Sequence, residues 1–254
     1  MTAVDWGRET LTRMREQPAR SALAESVAEL RRGIERRALY YRARTRGTAP
    51  MQIGGYESKF VVRNPTDIER ARTANRETAV MEFVLDGLDE TSVFWDVGAY
   101  HGHYTVHASQ TGADVIAYEP VFENRRQISK HVQRNDPPGE IEIRPVALSD
   151  AEDVVTIGGP APSEAQLGQP GIEVHTMRGE WLEPKPDVIK IDVEGHEAAV
   201  LAGLRRELPH VERVAVEVHG DNERAVRDQL RLAGFDVREI DTPRSETYLG
   251  GVRG

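Results

Sequence analysis

The stretch from Val93 to Gly102, VFWDVGAYHG, constrains the fold of this 254-residue chain more than any other. Its first five residues are apolar apart from Asp96, which predicts a buried strand of a parallel sheet. Gly98 and Gly102 allow a tight turn and a close approach of the backbone to a ligand. Residues 103–109 then continue as a short helix whose N-terminal amides face that turn. Because open α/β sheets bind nucleotides at the carboxyl ends of their strands, we predict the central site here.

Strand and helix signals alternate along the rest of the chain, which indicates a parallel sheet with right-handed crossover helices. Further strands are predicted at residues 113–118, 141–148, 188–193, 211–218 and 235–240, and helices at residues 122–133, 197–208 and 223–233. Tyr248 and Leu249 are predicted to begin a last hairpin strand. Residues 158–171 are rich in Gly, Pro, Ser and Gln, and we predict a long loop there. The predicted fold class is α/β, with a mostly parallel sheet and helices on both faces.

Residues 1–64 are predicted to form a helical N-terminal extension and an edge strand, ahead of a main domain at residues 65–254. Apolar residues recur at helical spacing in the extension, at Leu23, Val27, Leu30, Ile34 and Tyr41. The opposite face carries Arg31, Arg32, Arg36, Arg37, Arg42 and Arg44. Two interpretations stay open. The helix packs on its own domain or on a second copy in a homo-oligomer, or residues 20–46 make a peripheral contact with a membrane surface.

Composition excludes several classes of protein. The chain has no cysteine, so it has neither disulfides nor thiolate metal ligands. The net charge is −9, although residues 1–50 hold 11 arginines against six acids. The acidity therefore lies in the main domain and argues against nucleic acid as a partner. There is no run of 18 apolar residues and no apolar leader, so we expect a cytoplasmic protein without a membrane span.

The acid beside the glycine turn distinguishes two cofactors that such a crevice binds, a dinucleotide and S-adenosylmethionine. A dinucleotide-binding turn carries G-x-G-x-x-G, whose amides face a pyrophosphate. Here Gly98 and Gly102 are separated by three residues, and Asp96 precedes them. A carboxylate repels a pyrophosphate but attracts the amino group and sulfonium of S-adenosylmethionine. Glu119, at the end of the second strand, is placed to accept hydrogen bonds from both ribose hydroxyls.

Five segments together resemble the FkbM family of S-adenosylmethionine-dependent methyltransferases. They are DVGAYHG (96–102), AYEP (117–120), VALSD (146–150), KIDVEGHE (190–197) and VEVHG (216–220). The resemblance implies the class I methyltransferase fold, a Rossmann-like seven-stranded sheet whose last strand is antiparallel, and methylation of a hydroxyl oxygen. Two regions depart from the family pattern. Tyr100 replaces the usual Asn, and residues 157–181 lack an Asp commonly found before the fourth strand.

Position along the motifs assigns the cofactor-binding residues. Asp96, Gly98, Ala99, Tyr100 and Gly102 form the turn expected to line the methionine part of the cofactor. Glu119 is assigned to the ribose. Ala147 and Leu148, after the third strand, are placed near the adenine, and Asp192 near the methyl group.

The candidate catalytic residues lie at the carboxyl ends of the fourth and fifth strands, and they are Asp192, Glu194, Glu217 and His219. Alternation along a strand places each pair on one face. His219 has the ordinary pKa nearest neutrality and suits a general base, and it suits a structural hydrogen bond equally well. Glu194 is alternatively a cap for the next helix. Lys190, on the face of Asp192, forms an ion pair or acts as a catalytic lysine.

A metal is another use for part of this cluster, since Asp192, Glu217 and His219 combine oxygen and imidazole ligands. Their spacing is not that of a tight metal motif, and no metal is predicted.

Three functional hypotheses follow. The first is an O-methyltransferase that acts on a hydroxyl of a sugar, a glycan or a small metabolite. The second is a nicotinamide-dependent oxidoreductase, which the Asp96 argument disfavours. The third is a cofactor-binding domain without catalysis, whose N-terminal helix recruits a partner.

Overall fold

The structure is a computed structural model that describes residues 34, 37, 38, 40, 41, 43–62, 67, 77–159 and 166–254. They fall into two compact units, Met1–Thr48 with Val62–Glu69 and Ala49–Val61 with Arg70–Gly254. In the first unit the described residues between 34 and 46 are helical, and Ile34 and Tyr41 are exposed. The other apolar residues of the predicted stripe, Leu23, Val27 and Leu30, lie outside the described residues. The domain boundary between residues 64 and 65 stays a prediction.

The strands are numbered in chain order. They are β1 Thr48–Ile53, β2 Tyr56–Val61, β3 Val93–Val97, β4 Asp114–Tyr118, β5 Ile141–Arg144, β6 Ala147–Leu148, β7 Asp153–Gly158, β8 Gln166–Leu167, β9 Ile172–Met177, β10 Val188–Ile191, β11 Arg213–Val218, β12 Asp236–Glu239 and β13 Thr247–Val252. The helices are α1 Thr78–Leu85, α2 His103–Ser109, α3 Phe122–Asn135, α4 Glu197–Gly203 and α5 Glu223–Leu232. Short 3-10 turns lie at Gly179–Trp181, Leu208–His210 and Gly220–Asn222.

The main sheet has seven strands in the order β12-β13-β11-β10-β3-β4-β5. Its strand pairs are parallel except those of β13, which is antiparallel to both β11 and β12. This confirms the predicted mostly parallel sheet and the single antiparallel strand that the family resemblance implies. Lys190 of β10 lies opposite Asp96 of β3 in the register. The parallel strands therefore bring these two charged residues together near the carboxyl ends of the central strands.

Helices cover both faces of this sheet. Successive side chains of a strand point to opposite faces, so an apolar strand such as β3 packs against a helical layer on each side. Trp95 of β3 belongs to one buried cluster with Leu201 of α4 and Leu230 of α5. The preceding residue, Phe94, belongs to a second cluster with Val84 of α1. All five side chains are at most 1% exposed. Burial of each contributes about 1.5–3 kcal/mol relative to exposure, so both helical layers hold the strand ends in place.

Two predictions for the region after β4 are wrong in their extent. The strand predicted at 141–148 is divided, because β5 ends at Arg144 and β6 joins a second sheet of order β6-β9-β7-β8. Pro145 lies between them and has no amide hydrogen to donate to a sheet. The loop predicted at 158–171 is interrupted by β8. The residues of β7 are all exposed or half-buried, so periodicity gave no signal for this strand of the second sheet.

None of the helices that the structure describes is both long and apolar enough to cross a bilayer.

Candidate active site

The glycine turn after β3 is shaped by close backbone packing. Gly98 has a φ of 79°, and a Cβ atom on it would lie 1.8 Å from the carbonyl oxygen of Asp192. Gly102 has a φ of 76° and a Cβ atom there would lie 3.0 Å from Ile128. Ala99, between the two glycines, is buried. Both predicted glycines are therefore required by the packing and the left-handed backbone of the turn.

Asp96, in β3 just before this turn, has one carboxylate oxygen that accepts no hydrogen bond, although the residue is only 1% exposed. Its Oδ2 accepts hydrogen bonds from the Thr105 amide at 2.9 Å and the Thr105 hydroxyl at 2.6 Å. Its Oδ1 has no hydrogen-bond partner. Burial raises the pKa of Asp96, and the Lys190 charge and the Thr105 hydrogen bonds oppose that shift. A buried carboxylate oxygen without a donor fits the amino group of S-adenosylmethionine.

Lys190 links the ends of β3 and β10. Its Nζ lies 3.0 Å from Asp192 Oδ2 and 3.9 Å from Asp96 Oδ1. Burial lowers the pKa of Lys190, but the neighbouring carboxylates, led by Asp192 and Asp96, outweigh burial and raise it. The ammonium also lies 4.9 Å from the centre of the Tyr104 ring. Of the two interpretations of Lys190, the geometry therefore agrees with the ion pair.

Glu119 follows β4 and is 4% exposed. Its Oε2 accepts a hydrogen bond from the Tyr100 amide at 2.8 Å. Its Oε1 accepts from the Val121 amide at 2.7 Å and from Asn124 Nδ2 at 3.2 Å. Burial raises the pKa of Glu119 to about 7, against the effect of these hydrogen bonds. A carboxylate has about four acceptor positions, so a ribose bound here would share or displace one of the present donors.

The remaining residues predicted to bind the cofactor are Tyr100, Ala147 and Leu148. Tyr100 has a φ of 49°, and its ring stacks on that of His101 with centroids 3.9 Å apart and planes 6° apart. Leu148 of β6 is buried in the core, whereas Ala147 is half-buried. The methionine role of Tyr100 and the adenine role of Ala147 and Leu148 stay predictions.

The predicted catalytic residues Asp192, Glu194 and His219 meet beyond the ends of β10 and β11. One carboxylate or imidazole atom from each lies within 4.8 Å of the other two. His219 Nε2 is 3.5 Å from Glu194 Oε2 and 3.6 Å from Glu217 Oε1. Strand alternation does not produce this meeting, because β10 ends at Ile191. The chain turns instead through Glu194, which has a φ of 52°.

His219 is held in place by Glu197, a fully buried residue. His219 Nδ1 lies 2.9 Å from Glu197 Oε1, and Glu197 also accepts hydrogen bonds from the Gly195 amide and the Asn222 side chain. Burial lowers the pKa of His219, but the Glu197 hydrogen bond and the surrounding acids outweigh burial and raise it to about 9. The imidazole therefore carries a proton at neutral pH. A protonated imidazole cannot accept a proton, so His219 differs from the general base that its ordinary pKa suggested.

Glu217 belongs to a more buried group of charges and is 5% exposed. Its Oε1 lies 3.6 Å from Arg244 Nη2. Arg244 also pairs with Glu246 at 3.0 Å and with Glu77, which accepts a hydrogen bond from Tyr104 at 3.1 Å. Burial and the nearby acids raise the pKa of Glu217 to about 8. Glu217 therefore holds its proton more tightly than an ordinary glutamate.

Three residues of the site were not predicted from the sequence. Glu197 is the last residue of the KIDVEGHE motif, so the motif contained a signal for it. Glu77 and Arg244 lie 167 positions apart and carry no local signal. Only the fold brings these two together.

Known methyltransferases are similar to this chain. The family model for the methyltransferase FkbM domain matches residues 96–237. The hexuronic acid methyltransferase AglP of Haloferax volcanii is 30% identical over 213 residues, which cover 80% of this chain and 87% of that protein. The crystal structure of methyltransferase FkbM from Methylobacillus flagellatus KT matches with a TM-score of 0.50 and 16% identity, over 65% of this chain and 44% of that chain. This chain thus spans less than half the length of that solved structure.

These similarities agree with the geometry of the turn. The family match includes the glycine turn, Glu119 and the cluster at Asp192 and His219. The solved structure, at low identity, supports the fold alone. The cofactor is S-adenosylmethionine, and the Asp96 oxygen that accepts no hydrogen bond fits its amino group. The chain belongs to the FkbM methyltransferase family and is an S-adenosylmethionine-dependent methyltransferase.

Proposed function

We propose that this protein transfers a methyl group to a hydroxyl oxygen of a sugar, and that a hexuronic acid is the sugar class to test first. The observation that carries this proposal is the similarity of 80% of the chain to a hexuronic acid methyltransferase. The acidic cluster at Asp192 is consistent with a sugar as the acceptor, because carboxylates bind sugar hydroxyls through hydrogen bonds.

We propose cofactor-binding roles for residues near the carboxyl ends of the strands. Asp96 Oδ1 accepts from the amino group, and the glycine turn at Gly98 makes room for the methionine part. Glu119 accepts from the ribose hydroxyls. The adenine lies near Ala147 and Leu148.

Bound S-adenosylmethionine supplies an activated methyl carbon, so the protein has to position the acceptor and receive its proton. Positioning supplies a large share of the rate, and a general base adds about 10²–10⁴-fold. We propose Asp192 or Glu194 as the base, because their side chains are 26% and 28% exposed and can reach an acceptor. The protonated imidazole of His219 adds a positive charge to the same cluster, and its hydrogen bond to Glu197 helps to keep it charged.

The test is transfer of a labelled methyl group to an oligosaccharide that ends in glucuronic acid, compared with the same oligosaccharide ending in glucose. We expect transfer to the first acceptor and at least tenfold less to the second. Asp192→Asn should lower kcat about 10²-fold or more. Glu212→Gln is the matched control, because Glu212 is an exposed acid that precedes β11, at the end opposite His219.

Three outcomes would count against this proposal. Equal transfer to both acceptors would remove the hexuronic acid preference. Binding of S-adenosylhomocysteine without transfer to any sugar would favour the hypothesis of a cofactor-binding domain without catalysis. Binding of a nicotinamide dinucleotide in its place would revive the oxidoreductase hypothesis, for which the family match gives no support.

The predicted partners and the predicted location of the protein stay proposals. The exposure of Ile34 and Tyr41 supports a docking role for the N-terminal helix, on a membrane surface or on a second copy in a homo-oligomer. Pelleting with anionic vesicles, compared between the full chain and a chain without residues 1–50, tests the membrane contact. Equal pelleting would count against it. A cytoplasmic location also stays a prediction from the sequence.

A further inference from the structure

We propose that Asp192, Glu194 and His219 form a binding site for one divalent cation, with Mn²⁺ as the probe. The cation's proposed role, to hold the oxygens of the sugar acceptor, rests on the proposed function. Its binding to the protein does not.

The geometry of the three side chains is close to that of a metal site. Their ligand-type atoms lie within 4.8 Å of one another, and Glu194 Oε2 is 3.5 Å from His219 Nε2. Metal–ligand bonds of about 2.1 Å place neighbouring ligand atoms about 3 Å apart and opposite ones about 4 Å apart. Side-chain rotations that shorten these distances by about 1 Å would therefore complete the site. The side chains of Asp192 and Glu194 are partly exposed, so a hydrated ion can enter.

A buried carboxylate already orients the imidazole as metal sites require. Metal-binding histidines usually donate one ring N–H to a carboxylate, which fixes the tautomer and leaves the other nitrogen for the metal. Glu197, fully buried and outside the cluster of three, lies 2.9 Å from His219 Nδ1. Nε2 is thereby directed towards Glu194. Binding exchanges the proton on Nε2 for the cation.

The balance of charge around the cluster also favours a cation. Seven carboxyl groups lie in the connected network of this site, and they are Glu77, Asp96, Asp192, Glu194, Glu197, Glu217 and Glu246. Lys190 and Arg244 are the permanently charged cations that pair with them among the described residues. Two carboxylates and one imidazole suit Mn²⁺ and similar divalent ions. Glu217 is not a ligand in this proposal, because it is more buried and lies beside Arg244.

Such a cation would give the cluster selectivity for its acceptor. A hexuronic acid offers a carboxylate and adjacent hydroxyls, which together can chelate a divalent ion in a site that would otherwise repel the sugar's negative charge. A hydroxyl coordinated to the cation would also be more acidic, so Asp192 or Glu194 could still take its proton although the cation makes each carboxylate a weaker base.

The experiment is calorimetric titration of the metal-free full chain with MnCl₂, with and without S-adenosylhomocysteine. We expect one equivalent of Mn²⁺ to bind, and we expect Glu194→Gln to weaken that binding at least tenfold. Glu212→Gln should bind as the wild type does. Circular dichroism and the binding of S-adenosylhomocysteine establish that the Glu194 variant is folded. If it is not, Asp192→Asn takes its place under the same criterion.

The possible results separate this proposal from the proposed function. If the wild type binds no Mn²⁺ at millimolar concentration, or if a folded Glu194→Gln binds it as well as the wild type, the cation site is overturned, whatever the activity on sugars. If Mn²⁺ binds and the variant loses it, the site is supported even when no sugar is methylated, and only the function proposed above then fails.

Discussion

Glu119 provides a sharp test of the cofactor site, because its environment makes binding depend on pH near neutrality. Burial raises the pKa of this carboxyl to about 7 in the cofactor-free protein. Ribose hydroxyls that donate to Glu119 favour its charged form. Binding of S-adenosylhomocysteine should therefore strengthen as the pH rises through 7.

The magnitude follows from the raised pKa of Glu119. If only the ionised carboxylate binds, affinity at pH 6 is lower than at pH 8 by about tenfold, or about 1.4 kcal/mol. Glu119→Gln keeps the size of the side chain but cannot ionise. We expect this variant to bind more weakly at pH 8, by about 1–3 kcal/mol, because hydrogen bonds to a charged acceptor are lost. The difference between the wild type and the variant should narrow at pH 6.

Calorimetry at pH 6, 7 and 8 measures these affinities. The glutamine variant separates Glu119 from other titrating groups of the pocket, such as Asp96. Glu123→Gln is the control, since Glu123 lies in the first turn of the next helix and its side chain is 71% exposed. A wild-type affinity that is flat from pH 6 to 8, or a Glu119→Gln variant with the same slope as the wild type, would refute the assignment of Glu119 to the ribose.

Two further predictions concern the scaffold. Gly98→Ala should abolish cofactor binding and lower the thermal unfolding temperature, because the new Cβ atom would lie 1.8 Å from the carbonyl oxygen of Asp192. Gly55→Ala, with a φ of 86° and open space around it, should cost only about 1–2 kcal/mol for its left-handed backbone, and equal effects of the two substitutions would contradict the packing argument. His107 is buried, and burial lowers the pKa of its imidazole to about 4 from the ordinary value of 6.5. The imidazole of the unfolded chain therefore binds a proton more readily than that of the folded chain. The free energy of unfolding should fall by up to about 3 kcal/mol as the pH drops from 6.5 to 4. Urea unfolding at pH 7 and pH 5 measures this difference in the free energy of unfolding. The difference should be smaller in His107→Gln than in the wild type, and it should be unchanged in the control His210→Gln, because His210 is exposed. An unchanged difference in His107→Gln would show that His107 is not its source.

Much of the fold and part of the site could be predicted from the sequence, because the signals are local. Asp96 and Glu119 each lie within one residue of the end of an apolar strand, and glycines follow the first of these strands, so each carboxylate could be placed from its own short stretch of sequence. Alternating strand and helix patterns indicated the parallel sheet. The motif segments identified the family and with it the cofactor.

The tertiary structure alone decided how the charged residues act. The pKa of His219 depends on Glu197 and on acids from other elements of the fold. The ion-pair partner of Glu217 is Arg244, which lies 27 positions further along the chain. The division of the strand at Pro145 and the second sheet also follow from pairing between distant segments, which periodicity does not report. Local patterns determine which elements form, whereas burial and charge at the site are sums over neighbours that only the folded chain brings together.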